Sequence, residues 1–221
     1  METIEFLNKR IGQIEKAFEI DHSCRIGKTP LEVVQEIPEK VLKELNDYKL
    51  EYRAVKTPKE YYSKSLEYRR EVLQAQSTAQ LCKSVIFRNT LHTKPPKNFD
   101  FEKIDPMGLN KNILRTLFSE YICVLVQYEK RMEIAEIAKY LQKHPLNITN
   151  RKFEYIMADE KVLQYEHNAV TPIGIQFPMI MSSGILENDF FWFGGGLVDL
   201  KIGTRVLDFM NIYDPVIIKM D

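Results

Sequence analysis

His167-Asn168-Ala169-Val170-Thr171-Pro172-Ile173-Gly174 is the stretch around which we interpret the rest of the chain. Asn168 can adopt a positive φ at little cost, and Pro172 fixes its own φ and pushes Thr171 towards an extended conformation. Gly174 lets the chain leave in almost any direction. These residues predict a rigid loop that presents backbone N–H groups and one hydroxyl. Ordinary turns have the same residue types, so the loop alone identifies no site.

Two further motifs flank this loop in the sequence. Upstream is the strand-like run Leu81-Cys82-Lys83-Ser84-Val85-Ile86-Phe87, which is interrupted by one lysine. Downstream is Phe191-Trp192-Phe193-Gly194-Gly195-Gly196-Leu197-Val198-Asp199-Leu200-Lys201-Ile202-Gly203. The three motifs together, in this order and approximate spacing, resemble the YbaK/aminoacyl-tRNA synthetase-associated domain family. This family comprises the editing domains of prolyl-tRNA synthetases and their free-standing relatives, and the resemblance runs from about Tyr48 to Asn211.

The resemblance implies a fold and an activity. It implies a curved mixed sheet with helices packed around it, and hydrolysis of wrongly charged aminoacyl-tRNA. The signature lysine of the family corresponds to Lys83, and the family's GxxxP loop beside the aminoacyl ester corresponds to Asn168 through Pro172. Asn168 and Ala169 stand where the bacterial pattern often has glycine. In this respect the motifs resemble those of the eukaryotic free-standing branch of the family. The departure bears on substrate choice more than on fold, because Asn retains access to positive φ.

An editing site needs a pocket, an attacking oxygen and a donor for the developing oxyanion. We expect Lys83 to contact the ester carbonyl or the terminal ribose and phosphate, although it could also extend from an edge strand into solvent. The Thr171 hydroxyl is expected to orient a water or the ribose, while backbone N–H groups from Ala169 to Thr171 hold the carbonyl oxygen. The predicted substrate-binding residues are His167, Asn168, Ala169, Val170, Pro172, Gly194, Gly195, Gly196 and Asp199.

Several of these residues have an alternative role. His167 could be a general base, but a histidine beside a turn more often forms a structural hydrogen bond. The glycine run Gly194 to Gly196 permits close approach of a terminal adenosine, and a tight turn between strands explains it nearly as well. Asp199 and Lys201 share one strand face, and they could brace the site or pair with each other. No Ser-His-Asp or Cys-His set falls within these motifs, so we expect water or a substrate hydroxyl to attack.

Composition limits the class of protein. The 221 residues are 44% hydrophobic, enough for a substantial core, and 31 basic residues balance 31 acidic ones. This balance disfavours a strongly basic nucleic-acid binder but allows a local basic patch. Three dispersed cysteines, Cys24, Cys82 and Cys123, indicate reduced thiols. The sequence predicts no metal site, no cofactor and no membrane span, and the acidic start Met1–Glu5 favours a cytoplasmic location.

Residues 1–46 are expected to form an N-terminal helical extension, and residues 47–221 the editing-like domain. An apolar a/d stripe defines a helix over about residues 3–19, which could pack on the same chain, on an aminoacyl-tRNA synthetase or on a second copy. Pro38 predicts a break near Ile37 before a second helix that ends near Leu45. The members of the stripe are Ile4, Leu7, Ile11, Ile14 and Phe18.

The remaining periodicities predict an α+β fold with a mixed β-sheet surrounded by helices and an N-terminal helical appendage, and the resemblance to the family implies that this sheet is curved. Helices are expected at 61–74, 132–143, after Asp159, and from an N-cap at Thr204 to Met210. Residues 90–111 read as a long surface loop. Strands are expected at 48–55, 81–88, 120–128, 153–157, 177–181, 190–193, 200–202 and 216–219.

Two functions remain open from the sequence. The first is a free-standing aminoacyl-tRNA deacylase that acts in trans and supports translation fidelity. The second is a catalytically idle relative that binds tRNA ends or nucleotides, docked to a synthetase or another partner through the N-terminal helix. Lys83 favours the enzyme, and Asn168-Ala169 in place of glycines favours the idle relative. A structural homodimer formed through the first helix is a third possibility.

Overall fold

The computed structural model describes residues 37–105, 108, 111–159 and 165–220. These residues belong to one compact unit. The predicted first helix with its apolar stripe, the start Met1–Glu5, Cys24 and the helix expected after Asp159 lie outside the described residues. The boundary at residues 46 and 47, the cytoplasmic location and any partner of the first helix therefore stay predictions.

The larger sheet has five strands, which are β2 (Cys82–Asn89), β3 (Tyr121–Gln127), β4 (Tyr155–Met157), β5 (Met179–Ser182) and β8 (Val216–Ile218). Their order in the sheet is β4-β2-β3-β5-β8. Strand β2 pairs antiparallel with β3 and β4, whereas β3 pairs parallel with β5 and β5 with β8, so the sheet is mixed.

The smaller sheet is antiparallel, with the order β1-β7-β6. It contains β1 (Tyr52–Lys56), β6 (Phe190–Gly194) and β7 (Leu200–Arg205). A parallel bridge between Leu81 and Trp192 joins the two sheets. The predicted mixed sheet is thus divided into two parts, and the bridge fixes β2 of one part beside β6 of the other.

Six α-helices are present among the described residues, and they confirm the predicted α+β class. They are α1 (Glu39–Asp47), α2 (Leu66–Val72), α3 (Phe101–Ile104), α4 (Lys111–Leu117), α5 (Ile134–Lys143) and α6 (Val206–Tyr213). Short 3-10 helices occur at Tyr61–Ser63, Thr78–Gln80 and Ser183–Glu187. Within the described residues no helix has the length and apolar character needed to cross a membrane.

Three expectations about the helices need correction. The helix expected at 61–74 is divided, because the Ser65 side chain caps a new helix by accepting the N–H of Tyr68. Thr204 does not cap α6, since it lies in β7 and its hydroxyl donates to the Glu51 carbonyl at 2.7 Å. The loop expected at 90–111 contains the short helix α3. In contrast, the second helix expected after Pro38 is confirmed, because α1 begins directly after that residue, whereas the piece expected before the break lies outside the described residues.

Strand β3 forms the centre of the core, as its apolar sequence predicted. Cys123 and Leu125 face a cluster that includes Phe191 and Phe193 of the smaller sheet. Ile122, Val124 and Val126 face the opposite side, where α4 and α5 cover the larger sheet. Because successive side chains of a strand point to opposite faces, one apolar strand supports both layers.

A third cluster surrounds Trp192 on the other face of the smaller sheet. It contains Tyr61, Leu73, Ala75 and Leu81, contributed by the segment that connects β1 with β2. Trp192 is 2% exposed, so this segment is held firmly against the sheet. The packing brings the tyrosines at 61 and 62 close to the ends of β6 and β7.

Candidate functional site

The loop 167–172 has the conformation that its residue types predicted. Asn168 has a φ of +67°, in the left-handed region, and Gly174 has a φ of +69°. The N–H of Ala169 donates to the carbonyl of Glu166 at 2.9 Å, which closes a turn. Ala169 and Thr171 are buried, at 2% and 0% exposure, whereas His167 and Asn168 are exposed. The loop is therefore anchored by its second half and open at its first.

Thr171 stabilises the bend itself. Its hydroxyl oxygen accepts the N–H of Ile173 at 3.2 Å, as in turns that Ser and Thr commonly form. The side chain does not face solvent in this conformation. A role for this hydroxyl in orienting water or ribose would require the bend to open.

Two backbone N–H groups of the loop are not used in the bend. Within the described ranges, neither Val170 nor Thr171 donates its N–H to an acceptor. Buried N–H groups are almost always paired, so such donors near a surface are suited to bind a ligand oxygen. Val170 is partly exposed whereas Thr171 is fully buried, so we take the Val170 N–H as the candidate donor of the two.

The glycine run forms the turn between β6 and β7 and the floor beneath the loop. A Cβ at Gly194 would lie 2.3 Å from the carbonyl oxygen of Val170, so only glycine allows this approach. Gly195 donates its N–H to Leu200 at 2.9 Å, and Gly196 has a φ of +96°. The run thus supports the loop, as the turn interpretation predicted.

Three tyrosines and an arginine form a cluster beside the loop. The Arg69 guanidinium carbon lies 5.6, 5.6 and 5.4 Å from the ring centroids of Tyr61, Tyr62 and Tyr128. Its nitrogens donate to the carbonyls of Tyr61 at 3.1 Å and Tyr62 at 2.7 Å. A guanidinium provides several donors and a flat cation for ring contacts, so Arg69 organises the cluster. We call these four residues together with Lys83 and Lys201 the tyrosine–cation cluster.

Lys201 connects this cluster to the loop, which is the bracing role that the sequence left open beside a pairing with Asp199. Its Nζ lies 2.6 Å from the Tyr62 hydroxyl, and that hydroxyl donates to the Asn168 carbonyl at 3.0 Å. Lys201 is 3% exposed, and burial, together with the charge of Arg69, lowers its pKa to about 7. The sequence contains a signal for this role, because Lys201 interrupts an apolar strand just as Lys83 does.

Lys83 reaches the same cluster from β2. Its Nζ lies 6.0 Å from the ring centroid of Tyr128. Lys83 lies on the same strand face as Leu81, and Leu81 packs with Trp192. On β6, Gly194 lies on the same face as Trp192. Strand alternation therefore directs Lys83 to the face on which the loop covers Gly194. The link between Lys83 and the loop passes through the tyrosines, because the Arg69 guanidinium lies against the rings of both Tyr128 and Tyr62.

The cluster is positively charged. Within the residues that the structure describes, none of Arg69, Lys83 and Lys201 forms an ion pair with a carboxylate. Burial raises the pKa of each tyrosine, so the phenols stay protonated and neutral at physiological pH. The arrangement offers cations and aromatic faces to an anionic or electron-rich ligand.

Asp199 lies beside the cluster but is not part of it. Its carbonyl accepts the N–H of Thr57 at 2.6 Å, and its carboxylate lies 3.5 Å from the Lys56 ammonium. Asp199 and Lys201 are therefore not paired with each other. Cys82 is buried on the strand face opposite Lys83, as expected. Within the described part of the chain, no group of side chains has the composition of a metal site.

A cavity of about 450 Å³ lies elsewhere, between α5 and residues 153–155. This cavity is next to β4, which pairs with Phe87 to Asn89 at the end of β2 that is farther from Lys83. It contains none of the predicted site residues. The chemistry of the tyrosine–cation cluster, and not cavity size, identifies the candidate site.

Comparison with known proteins supports the fold. No protein-family model matches the sequence, and no curated protein matches it. A solved structure of a proposed trans-editing enzyme for prolyl-tRNA synthetase is 14% identical with a TM-score of 0.55, and the match covers 82% of this chain and 94% of that one. A hypothetical protein is 13% identical with a TM-score of 0.55, covering 82% and 99%. A scaffold for computationally designed epitope grafting is 12% identical with a TM-score of 0.56, covering 82% and 94%. At these identities the likeness concerns the fold alone, and the fold is similar to that of the YbaK-like editing domains.

Proposed function

We propose that this protein hydrolyses the ester bond of mischarged aminoacyl-tRNA, acting in trans as an editing deacylase. The observation that carries the proposal is the position of the loop 167–172. Its N–H group at Val170 is not used within the described residues, and Tyr62 anchors the loop to the tyrosine–cation cluster. Both features suit hydrolysis of an aminoacyl-tRNA ester, because the developing oxyanion needs a donor and the RNA end carries negative charge.

The Val170 N–H would bind the ester carbonyl oxygen in this reaction. A backbone donor is held in place by the chain, so it stabilises the oxyanion without reorganisation. Asn168, Ala169 and Pro172 shape the loop that positions it, and Gly194 lets the loop lie close to the sheet. Thr171 keeps the bend closed, because its hydroxyl oxygen accepts the N–H of Ile173, and its predicted role in orienting water or the ribose stays a prediction.

Lys83 would supply positive charge to the terminal ribose and phosphate. Its contact among the described residues is the face of Tyr128, which leaves the ammonium able to interact with an anion. The attacking oxygen would come from water or from a hydroxyl of the terminal ribose, since no nucleophilic side chain with its base lies among the motif residues. His167 is exposed at the open side of the loop, where it could contact either.

The similarity to a proposed trans-editing enzyme agrees with this function but does not establish it. One observation favours the idle relative instead. Lys83 approaches the loop through Tyr128 and Tyr62, and a substrate must fit into that arrangement before Lys83 can act on an ester. An idle protein would use the same cations and rings to hold an RNA end.

A panel of tRNAs charged with wrong small amino acids separates these functions. We expect the wild type to release amino acid from at least one member, and Lys83→Met to lower the rate by about 100-fold, since loss of one electrostatic contact in a site typically costs that much. Lys152→Ala removes an exposed lysine before β4 and is the matched control with an unchanged rate. Binding of tRNA without release from any member would overturn the deacylase and leave the idle relative.

A further inference from the structure

Lys201 is a buried lysine that contacts a phenol and no carboxylate. Its Nζ is 2.6 Å from the Tyr62 hydroxyl, and the centroids of the Tyr62 and Tyr61 rings lie 4.9 and 5.7 Å away. The charged group that faces it from α2 is Arg69, another cation. Asp199, two residues earlier in the chain, directs its carboxylate towards Lys56. Nothing in this environment requires a lysine for packing or for an ion pair.

The hydroxyl of Tyr62 fixes the direction of the hydrogen bonds around it. A tyrosine hydroxyl has one proton to donate and two lone pairs to accept with. The carbonyl of Asn168 can only accept, so the Tyr62 proton goes to Asn168 and Lys201 must donate to Tyr62. The result is a donor chain from Lys201 through Tyr62 to the backbone of the loop.

This chain is strongest when Lys201 is an ammonium. Hydrogen bonds from a charged donor are shorter and stronger than those from a neutral one. A neutral amine has a free lone pair, so it can accept the hydrogen bond that the Tyr62 hydroxyl otherwise donates to Asn168. In that case the Asn168 carbonyl loses its donor, and the turn that positions the next N–H groups loses an anchor.

We propose that Lys201 is a positioning residue that, in its ammonium form, holds the loop 167–172 through Tyr62, and that loss of its proton releases the loop. The effect on catalysis rests on the proposed function, whereas the effect on the loop does not. The N–H of Val170, to which the proposed function assigns the oxyanion, is two residues from the anchored carbonyl. The charge on Lys201 thereby controls the geometry of the oxyanion donor without contact with substrate.

Both forms of Lys201 occur near neutral pH, because burial and Arg69 lower its pKa to about 7. The neighbouring phenols have a raised pKa and do not titrate in this range. Arginine keeps its charge throughout. His167 belongs to the same loop, and histidine is the side chain whose charge usually changes near neutral pH, so an experiment has to separate it from Lys201.

The amide of Ala169 reports on this coupling, since it belongs to the same peptide group as the Asn168 carbonyl. Its hydrogen exchange and its NMR chemical shift are followed from pH 5.5 to 9 in the full chain. We expect a transition with a midpoint near pH 7 and, after correction for intrinsic rates, about tenfold faster exchange on the alkaline side, which is the effect of one lost hydrogen bond.

Four variants decide the origin of the transition. Lys201→Met and Tyr62→Phe should abolish it, and Lys201→Arg should keep the loop in its low-pH state throughout. His167→Gln should leave the transition unchanged. The proposal is overturned if the wild type shows no transition, if the transition persists in folded Lys201→Met or Tyr62→Phe, or if His167→Gln removes it. Tyr62→Phe retains the ring and carries the test if Lys201→Met does not fold.

Deacylation supplies a separate readout. If the proposed function holds, Tyr62→Phe should lower kcat by about tenfold with little change in KM and flatten its pH profile near 7. A tRNA panel with no hydrolysis, together with an intact Ala169 transition, would remove the deacylase and keep the positioning role. Hydrolysis with an unchanged pH profile in Tyr62→Phe, and with no Ala169 transition in the wild type, would remove the positioning role and keep the deacylase.

Discussion

Gly194 is the residue at which the contact between loop and sheet is tightest. A methyl group there would approach the Val170 carbonyl oxygen to 2.3 Å, and the obstacle is backbone that is held by its own turn. We expect Gly194→Ala to lower the free energy of unfolding by about 1–3 kcal/mol, the usual cost of overpacking, and to displace the loop. Urea denaturation measures the first effect and the Ala169 amide shift the second.

Gly184→Ala is the control for this substitution. Its new methyl group would also meet an atom at 2.5 Å, but that atom is the terminal oxygen of the Gln127 side chain, whose torsions can adjust more cheaply than a backbone carbonyl. The control should therefore cost clearly less than Gly194→Ala and leave the Ala169 amide unchanged. Equal costs for the two variants would mean that the loop does not press on Gly194.

Lys201 should also make stability depend on pH. Its pKa is about 7 in the folded chain against an ordinary value of 10.5, so the unfolded chain binds more protons between these values. The free energy of unfolding therefore rises with pH in this window, with a slope of at most about 1.4 kcal/mol per pH unit, and the destabilisation is complete below pH 7. Lys201→Met lacks this contribution.

The measurement is denaturant unfolding of both proteins at several values between pH 7 and 10. The stability of Lys201→Met relative to the wild type should be most favourable at pH 7 and decline as the pH approaches 10. Taking the difference cancels the titration of all other groups. A constant difference would show that Lys201 titrates normally in the folded chain.

Arg69 acts at the scale of an element, because it joins the 3-10 helix Tyr61–Ser63 to helix α2. Lysine in its place has no planar fork for the carbonyls of Tyr61 and Tyr62 and weaker contacts with the rings. We expect Arg69→Lys to lower the free energy of unfolding by about 1–3 kcal/mol. Thermal unfolding measures this change.

Arg88→Lys is the comparison for Arg69→Lys. Arg88 forms an ion pair with Glu120 at 2.8 Å and its side chain is 51% exposed. Exposed pairs of this kind contribute about 0–1 kcal/mol, so this variant should unfold close to the wild type. If Arg69→Lys is equally harmless, the tyrosine–cation cluster does not depend on the guanidinium.

At the scale of the whole molecule, charge balance limits how RNA could bind. The formal net charge is zero, so attraction to RNA must come from a local group of cations such as Arg69 and Lys83. Each phosphate neutralised on single-stranded RNA contributes a slope of about −0.7 to the dependence of log K on log salt, which gives about −1.4 for two cations. We expect this shallow dependence of affinity on salt for the binding of tRNA that carries no amino acid.

Fluorescence titrations of tRNA between 50 and 300 mM salt test this expectation. Lys83→Met should make the slope shallower by about 0.7, and Lys152→Ala should leave it unchanged. A slope of about −5 or steeper in the wild type would instead indicate a wide basic surface outside the tyrosine–cation cluster.

The sequence by itself determined the features that depend on near neighbours. The central position of β3 followed from its unbroken apolar run, the start of α1 followed from Pro38, and the bend at Asn168 followed from its tolerance of positive φ. Each depends on a few adjacent residues whose local preferences agree. The α+β class then followed from the mixture of strand and helix periods.

Only the tertiary structure decided how the candidate site is assembled. Lys201 lies 139 residues from Tyr62, and Tyr62 lies 106 residues from Asn168. The two side chains and the Asn168 carbonyl nevertheless form one chain of hydrogen bonds. The periodicity of the sequence cannot predict such a contact, because it reports on neighbouring residues only. The bridge between Leu81 and Trp192 and the packing around Trp192 bring the distant segments together. The sequence shows that a lysine is unusual within an apolar strand. Its partner depends on which distant segments pack together, because the burial of their apolar surfaces brings those segments into contact.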